Sequence, residues 1–229
     1  MVARDLALAE LTGGWLHLAH LSSAGSVALL RQARERGISV TAEVCPHHLV
    51  LTDEWALGYQ GRQEGAGPLN YDTSTKVYPP LRSRQDVVAL VEGLADGVID
   101  CVATDHAPHE VASKQTTYQE AAFGISVLET ALGSLLELVH QGRLSLSALL
   151  ERLTVGPARV LGQDFEELAT LHEGSPADLV LFDPYREWVV DTNEFASKGR
   201  NTPLAGATLK GRVTATMVAG RFVHEDFLQ

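Results

Sequence analysis

Cysteine is scarce in this sequence: Cys45 and Cys101 are the only two in 229 residues, and they form no CxxC pair. A disulfide framework is thereby excluded, and a reducing, cytoplasmic setting is expected. Cys101 lies in the apolar run 99–103 and reads as a buried thiol. Positive charge is also short. Eighteen Lys and Arg face 29 Asp and Glu, for a formal net charge of −11. That balance speaks against a nucleic-acid or anionic-membrane surface, either of which needs a basic patch. Small-molecule chemistry stays open, because one pocket can be cationic on an acidic protein. No stretch approaches the roughly 18–20 apolar residues of a membrane span. Neither a glycine-rich phosphate loop nor a GxSxG nucleophile elbow occurs. Residues 1–11 carry no basic region and no cleavage site, so they do not read as a signal peptide.

What remains is an ordinary globular composition, 45% hydrophobic and 21% charged. Periodicity and punctuation predict helices over 3–11, 25–36, 84–94, 118–140, 147–154 and 157–161. They predict strands over 15–20, 38–44, 76–78 and 99–104. Ser22 or Ser23 offers an N-cap to the second helix, and Gly37 stops it. The stretch 58–75 reads as a long glycine-rich loop. Strands alternating with helices mean βαβ units and a parallel sheet. Beyond Gly174 the pattern turns β-rich, over 177–182, 188–190 and 212–223, with a turn at Asp183-Pro184. The expected organisation is an α/β unit over 1–173 followed by a small β module over 174–229. About four strands make half of a (β/α)8 barrel, which takes about 250 residues when whole. The chain also opens inside a helix with no preceding cap, so a further segment upstream is expected.

Polar residues gather where the strands stop, the place where parallel β/α folds keep their chemistry. His20 ends one strand, with His17 three residues earlier. Strand alternation puts these two on opposite faces, so His20, at the tip, is the better ligand candidate. A lone strand-end histidine is more often structural, so the case needs partners. Asp105 follows another apolar strand and precedes His106 and His109. A carboxylate at a buried strand tip is costly unless paired or coordinated, so Asp105 is expected to be a metal ligand or general base. Pro108 limits where His109 can point. In the cluster Glu43-Val-Cys-Pro-His47-His48, adjacent side chains diverge, so at most one histidine is expected to face a site. The plainer reading has one histidine buried and hydrogen-bonded and the other solvated. Lys76 and Arg82 could each hold a substrate carboxylate, with surface charge the plainer reading for Arg82.

Taken in order, His20-Leu-Ser-Ser, Thr41-Ala-Glu-Val-Cys-Pro-His-His-Leu, Lys76-Val-Tyr-Pro-Pro-Leu-Arg, Ala103-Thr-Asp-His-Ala-Pro-His, Phe123-Gly-Ile and Asn201-Thr-Pro-Leu-Ala-Gly resemble the second half of bacterial dihydroorotases. The resemblance runs over nearly the whole chain, and hydantoinases and allantoinases share the architecture. It implies a distorted TIM barrel, here its C-terminal half, with a small β-sandwich and a two-zinc site. It makes His20 a ligand of the second zinc, and Asp105 both a ligand of the first zinc and the catalytic proton shuttle. It makes His109, Phe123 and Gly124 substrate contacts, with Tyr78 standing where many members carry a substrate-binding Asn. The family's HxH pair, the arginine that follows it, the bridging Asp or carbamylated Lys and one further His have no counterpart here. The chain is therefore expected to supply part of a site, to need an N-terminal half or a complementary chain, and to be inactive alone. The implied reaction is the reversible ring closure of N-carbamoyl-L-aspartate to dihydroorotate. Implied partners are that small-molecule substrate, a second copy in a homodimer, and aspartate carbamoyltransferase. The contrasting reading is a non-catalytic dihydroorotase-like companion of that transferase. Retention of His20, Asp105 and His109 speaks against it.

Overall fold

The computed structural model describes residues 1–58 and 71–226, so most of the predicted loop 58–75 lies outside the described residues. Three short strands, β1 (Leu16–Leu18), β2 (Val40–Val44) and β3 (Cys101–Val102), form a parallel sheet in that order. The register pairs Leu16 with Val40 and Glu43 with Cys101. Helices α1 (Val2–Thr12), α2 (Ala24–Glu35), α3 (Pro46–Val50) and α4 (Arg84–Ala95) precede β3. After it come α5 (Val111–Lys114), α6 (Leu128–His140), α7 (Leu146–Leu153) and α8 (Val155–Leu161). Ser23 caps α2 by accepting from the Ser26 amide, and Ser83 caps α4 by accepting from Asp86. Gly37 stops α2 at φ 78.

The sheet is two-faced. In β2, Val40, Ala42 and Val44 are buried while Thr41 and Glu43 are half-buried on the other side, as period-2 alternation requires. The apolar face meets Leu30 of α2, Leu90 and Leu94 of α4, and Leu135, Leu136 and Leu138 of α6, all in one core cluster. Each such leucine contributes about 1.5–3 kcal/mol by leaving water. The opposite face is left to polar residues.

Beyond α8 the chain forms an antiparallel sheet of β4 (Leu179–Val189), β5 (Thr208–Val218) and β6 (Arg221–Glu225). It docks on α6 through two glycines. A Cβ at Gly133 would lie 3.2 Å from Leu209 Cβ, and one at Gly211 would lie 2.2 Å from Leu136 Cδ1.

The structure corrects several predicted elements. Segment 76–78 is not a strand. It follows a 3-10 turn at Thr73–Thr75, and Lys76 spends its Nζ on the Gln119 carbonyl at 2.8 Å. The predicted helix 118–140 starts only at Leu128. Gly124, at φ 140, breaks helical geometry before it, and Ile125 and Val127 fill a second small apolar cluster. The four expected parallel strands are three among the described residues, supplemented by a single parallel bridge between His106 and Ile125. Asp183-Pro184 is not a turn between strands but an irregularity inside β4, where Asp183 Oδ1 accepts from the amides of Tyr185 and Arg186. No helix among the described residues is long and apolar enough to cross a membrane.

Candidate active site

The polar face of the sheet carries the site. β1 ends at Leu18 and the chain turns through His20 at φ 55. β3 ends at Val102 and the chain turns through Asp105 at φ 46. Left-handed backbone at residues bearing a Cβ costs of order 1–3 kcal/mol each and gathers at functional sites. The two turns bring His20 Nε2 to 3.8 Å from Asp105 Oδ1.

Glu43, on the strand between them, organises the group. His20 Nδ1–H donates to Glu43 Oε1 at 2.8 Å, and His17 Nε2 lies 3.3 Å from Oε2. His17 Nδ1 in turn lies 2.8 Å from Thr41 Oγ1. The expectation that His17 and His20 diverge is therefore corrected. Alternation holds only as far as Leu18, and the left-handed turn swings His20 back toward the same carboxylate. The Glu43 hydrogen bond is the main cause of a raised His20 pKa, opposed by burial and helped by the charges of Asp105 and Glu43. Burial pushes Glu43 upward, but the hydrogen bonds from His20 and His17 outweigh it and hold the carboxyl below its ordinary value.

This geometry suits a metal. With Nδ1–H given to Glu43, His20 keeps an Nε2 lone pair on the side of Asp105. An imidazole oriented by a carboxylate on its other nitrogen is the usual form of a metal-ligating histidine. His20 Nε2 and Asp105 Oδ1 are thus neighbouring donor atoms of the kind a zinc-type site takes. Glu43 was not among the sequence candidates for a role. The available signal was a carboxylate on a half-buried strand face, opposite two histidines.

The remaining candidates collect at a second place. His109 is held from both ends: its amide donates to Asn201 Oδ1 at 2.7 Å, and its Nε2–H donates to the Phe123 carbonyl at 2.8 Å. Asn201 also donates through Nδ2 to the carbonyls of Ala107 and Gly124, both at 3.0 Å. Gly124 is the point of closest approach. A Cβ there would lie 2.6 Å from Ala107 Cβ and 2.9 Å from His109 Nε2. Its own N–H donates to Lys76 O at 2.9 Å, so Gly124 shapes this wall without presenting its own amide to a ligand. Tyr78 and Phe123 meet edge to face with ring centroids 5.9 Å apart, and both are exposed. Asn201 went unassigned in the sequence, although its segment was part of the resemblance.

Other polar residues have structural employment. His106 accepts through Nδ1 from the amides of Val127 and Leu128, capping α6, and its Nε2 faces Ser197 Oγ at 3.0 Å. Lys76 is buried, with Nζ also 4.3 Å from the Phe123 ring centre, so it is not a free carboxylate clamp. Arg82 is exposed and lines a cleft of about 960 Å³ with His17, His20, Ser22 and Tyr78. His47 and His48 are both buried, against the expectation that one is solvated. They lie in α3, and the helical turn carries both inward. Burial, and then the charge of its neighbours, holds the pKa of His47 well below the ordinary value. Burial likewise brings His48 down to about 4, against a hydrogen bond from its Nε2 to Pro79 O at 2.9 Å.

Comparison with known proteins shows the family of the chain. The profile of the Amidohydrolase family matches residues 5–223. The dihydroorotase of Pelotomaculum thermopropionicum is 52% identical over 227 residues, covering 99% of this chain and 50% of the relative. The dihydroorotase of Syntrophus aciditrophicus is 47% identical over 226 residues, with the same coverage. Among solved structures, the L-hydantoinase of Arthrobacter aurescens superposes with a TM-score of 0.87 at 32% identity, covering 98% of this chain and 48% of that one. The chain thus spans about half the length of the curated relatives it matches. Over that span, from the first helix to the last strand, it belongs to the amidohydrolase family.

Proposed function

We propose that this chain supplies the later-strand half of a dihydroorotase-type active site, hydrolysing or closing a cyclic amide. The observation that carries the reading is the His20–Glu43–Asp105 arrangement, two strand-end ligands with the histidine ring held by a carboxylate. The parallel sheet supports it, since helices packed outside and functional residues gathered at the carboxyl ends of the strands are the layout of a (β/α)8 barrel. In this reading residues 1–173 belong to the barrel and 174–229 to a β-sandwich. The dihydroorotase names of relatives about 50% identical point to the same substrate.

His20 and Asp105 would hold zinc, together with ligands from outside this chain, because a catalytic zinc takes about three protein ligands. When bound, zinc polarises an amide carbonyl and lowers the pKa of water to about 7. Glu43 fixes the His20 tautomer. Asp105 takes the proton of the attacking water on a carboxylate oxygen and passes it to the departing ring nitrogen. His109, Phe123 and Gly124 wall the ring, and Tyr78 closes its rim.

The test combines this chain with the N-terminal half of a dihydroorotase relative and follows zinc content and turnover together. Dihydroorotate hydrolysis, lost on Asp105→Asn, is the expected result. A zinc-loaded but silent assembly would sink the catalytic reading in favour of a non-catalytic companion of aspartate carbamoyltransferase. Tyr78, standing where many dihydroorotases carry Asn, leaves one second reading, a hydantoinase- or allantoinase-type cyclic amidohydrolase, to which the hydantoinase structural neighbours are related. Preference for hydantoin over dihydroorotate in the same assay would establish it.

A further inference from the structure

We propose that Cys45, His47 and His48 form a second cation site, a buried cradle of one sulfur and two imidazoles for a zinc-like ion. One donor atom from each of the three lies within 4.8 Å of the others, and all three residues are buried where β2 runs into α3. Three features point to a ligand. His47 is 3% exposed, and neither of its ring nitrogens has a hydrogen-bond partner. A buried polar atom left so is costly unless something satisfies it. His48 donates Nε2–H to Pro79 O at 2.9 Å, which fixes its tautomer and leaves Nδ1 as an unpartnered lone pair. A backbone carbonyl on the far nitrogen is how proteins orient metal-binding imidazoles. Cys45 is a fully buried free thiol. Its sulfur lies 3.4 Å from His20 Nδ1, whose proton already goes to Glu43.

The donor set selects the ion. One sulfur and two imidazole nitrogens suit Zn2+ or Cu+ and disfavour Mg2+ and Ca2+. Tetrahedral zinc, with bonds of about 2.1 Å to nitrogen and 2.3 Å to sulfur, sets its ligands about 3.5 Å apart. The donor atoms already lie within 4.8 Å of one another, so small side-chain adjustments bring them to that spacing. Binding replaces the Cys45 S–H bond by a sulfur–metal bond and releases one proton to solvent. No electron moves, and the neutral imidazoles lose nothing. An ion here rests against His20, so its occupancy is expected to inhibit the reaction proposed above. The site itself stands whether or not that reaction does.

The probe is Co2+, titrated into the 229-residue chain and followed by thiolate-to-cobalt charge-transfer absorption, which His20 and Asp105 cannot produce. The expected result is a band saturating at one equivalent and bleached by Zn2+. It persists in Cys101→Ser and His20→Ala, disappears in Cys45→Ser, and needs about tenfold or more cobalt in His48→Gln. If Cys45→Ser fails to fold, His48→Gln and His47→Gln decide alone, through unchanged or weakened affinity. Absence of the band in the folded chain, its survival in Cys45→Ser, its loss in Cys101→Ser, or unchanged affinity in both histidine variants overturns the proposal.

Discussion

Glu43 Oε1 sits 2.8 Å from His20 Nδ1, and that one contact decides which face of the imidazole is left for chemistry. With the Nδ1 proton held, only Nε2 offers a lone pair, and it is the nitrogen beside Asp105. Replacing Glu43 by Gln keeps the shape and removes the charge. Zinc affinity at the His20 centre of the completed protein is expected to fall about 10–100-fold, the range seen when such an orienting partner is lost. Competition against a chelator measures it, and equal affinities would remove Glu43 from the site.

Gly124→Ala tests the wall of the proposed ring pocket. The backbone there, at φ 140, is hostile to any Cβ, and the new methyl would press on Ala107 and His109. The strain and overlap together should destabilise the fold by about 2–4 kcal/mol. In the completed protein KM should rise more than kcat falls, because the shape of the wall changes and the proton carrier does not. Wild-type denaturation and wild-type KM would show that this loop adjusts freely.

Acid should weaken this protein through its buried histidines. His48 titrates at about 4 when folded against an ordinary 6.5. Between those values the unfolded chain binds more protons, so its contribution is complete above pH 6.5 and is lost as the pH falls toward 4. The loss amounts to about 3 kcal/mol, and His47 adds to it in the same direction. His20, whose pKa is raised, works the opposite way. Urea denaturation at pH 7 and pH 4.5 measures the slope. His48→Gln should flatten it, and an unchanged slope would mean His48 is not held neutral.

Two glycines should respond differently to alanine. In helix α8, alanine at Gly156 gains about 1 kcal/mol of helix propensity. Its Cβ, however, would sit 2.2 Å from the Asp100 carbonyl oxygen, a backbone atom that cannot swing aside. A net destabilisation of about 2 kcal/mol or more is expected. Gly142, at φ 69 with nothing within 4 Å of a new Cβ, should lose only about 1 kcal/mol from the left-handed backbone. Thermal midpoints for the two variants settle the order, and a milder Gly156→Ala would refute the close packing of α8 on the end of the sheet.

The legible parts of this chain were those governed by local rules. Ser23 and Gly37 bound α2 as capping preferences require, and the strand around Ala42 shows its period. Strand-end chemistry pointed to His20 and Asp105, which the structure brings together. Long-range effects were not legible. His17 and His20 converge because a strand stops early, and no pattern marks a strand's last residue. Lys76 looked like a free cation because its carbonyl partner, Gln119, lies 43 residues away. The helix predicted over 118–140 failed at Gly124, where a close approach between loops outweighs apolar periodicity. The burial of both histidines of α3 escaped because adjacent side chains were expected to diverge, whereas the chain turns there as a helix that carries both inward.

Asn201 makes its contacts with Ala107, His109, Gly124 and Ser126, which lie 75 to 94 positions earlier in the chain. Contacts that distant form only after the intervening chain has collapsed, because closing a long loop precedes the reward. The pocket around His109 is therefore expected to form late in folding. Asn201 ties the loops around His109 to one another, so their arrangement depends on the docking of the segment that bears it. A substitution anywhere that loosens the docking of this segment would blur the pocket while leaving each of its residues intact.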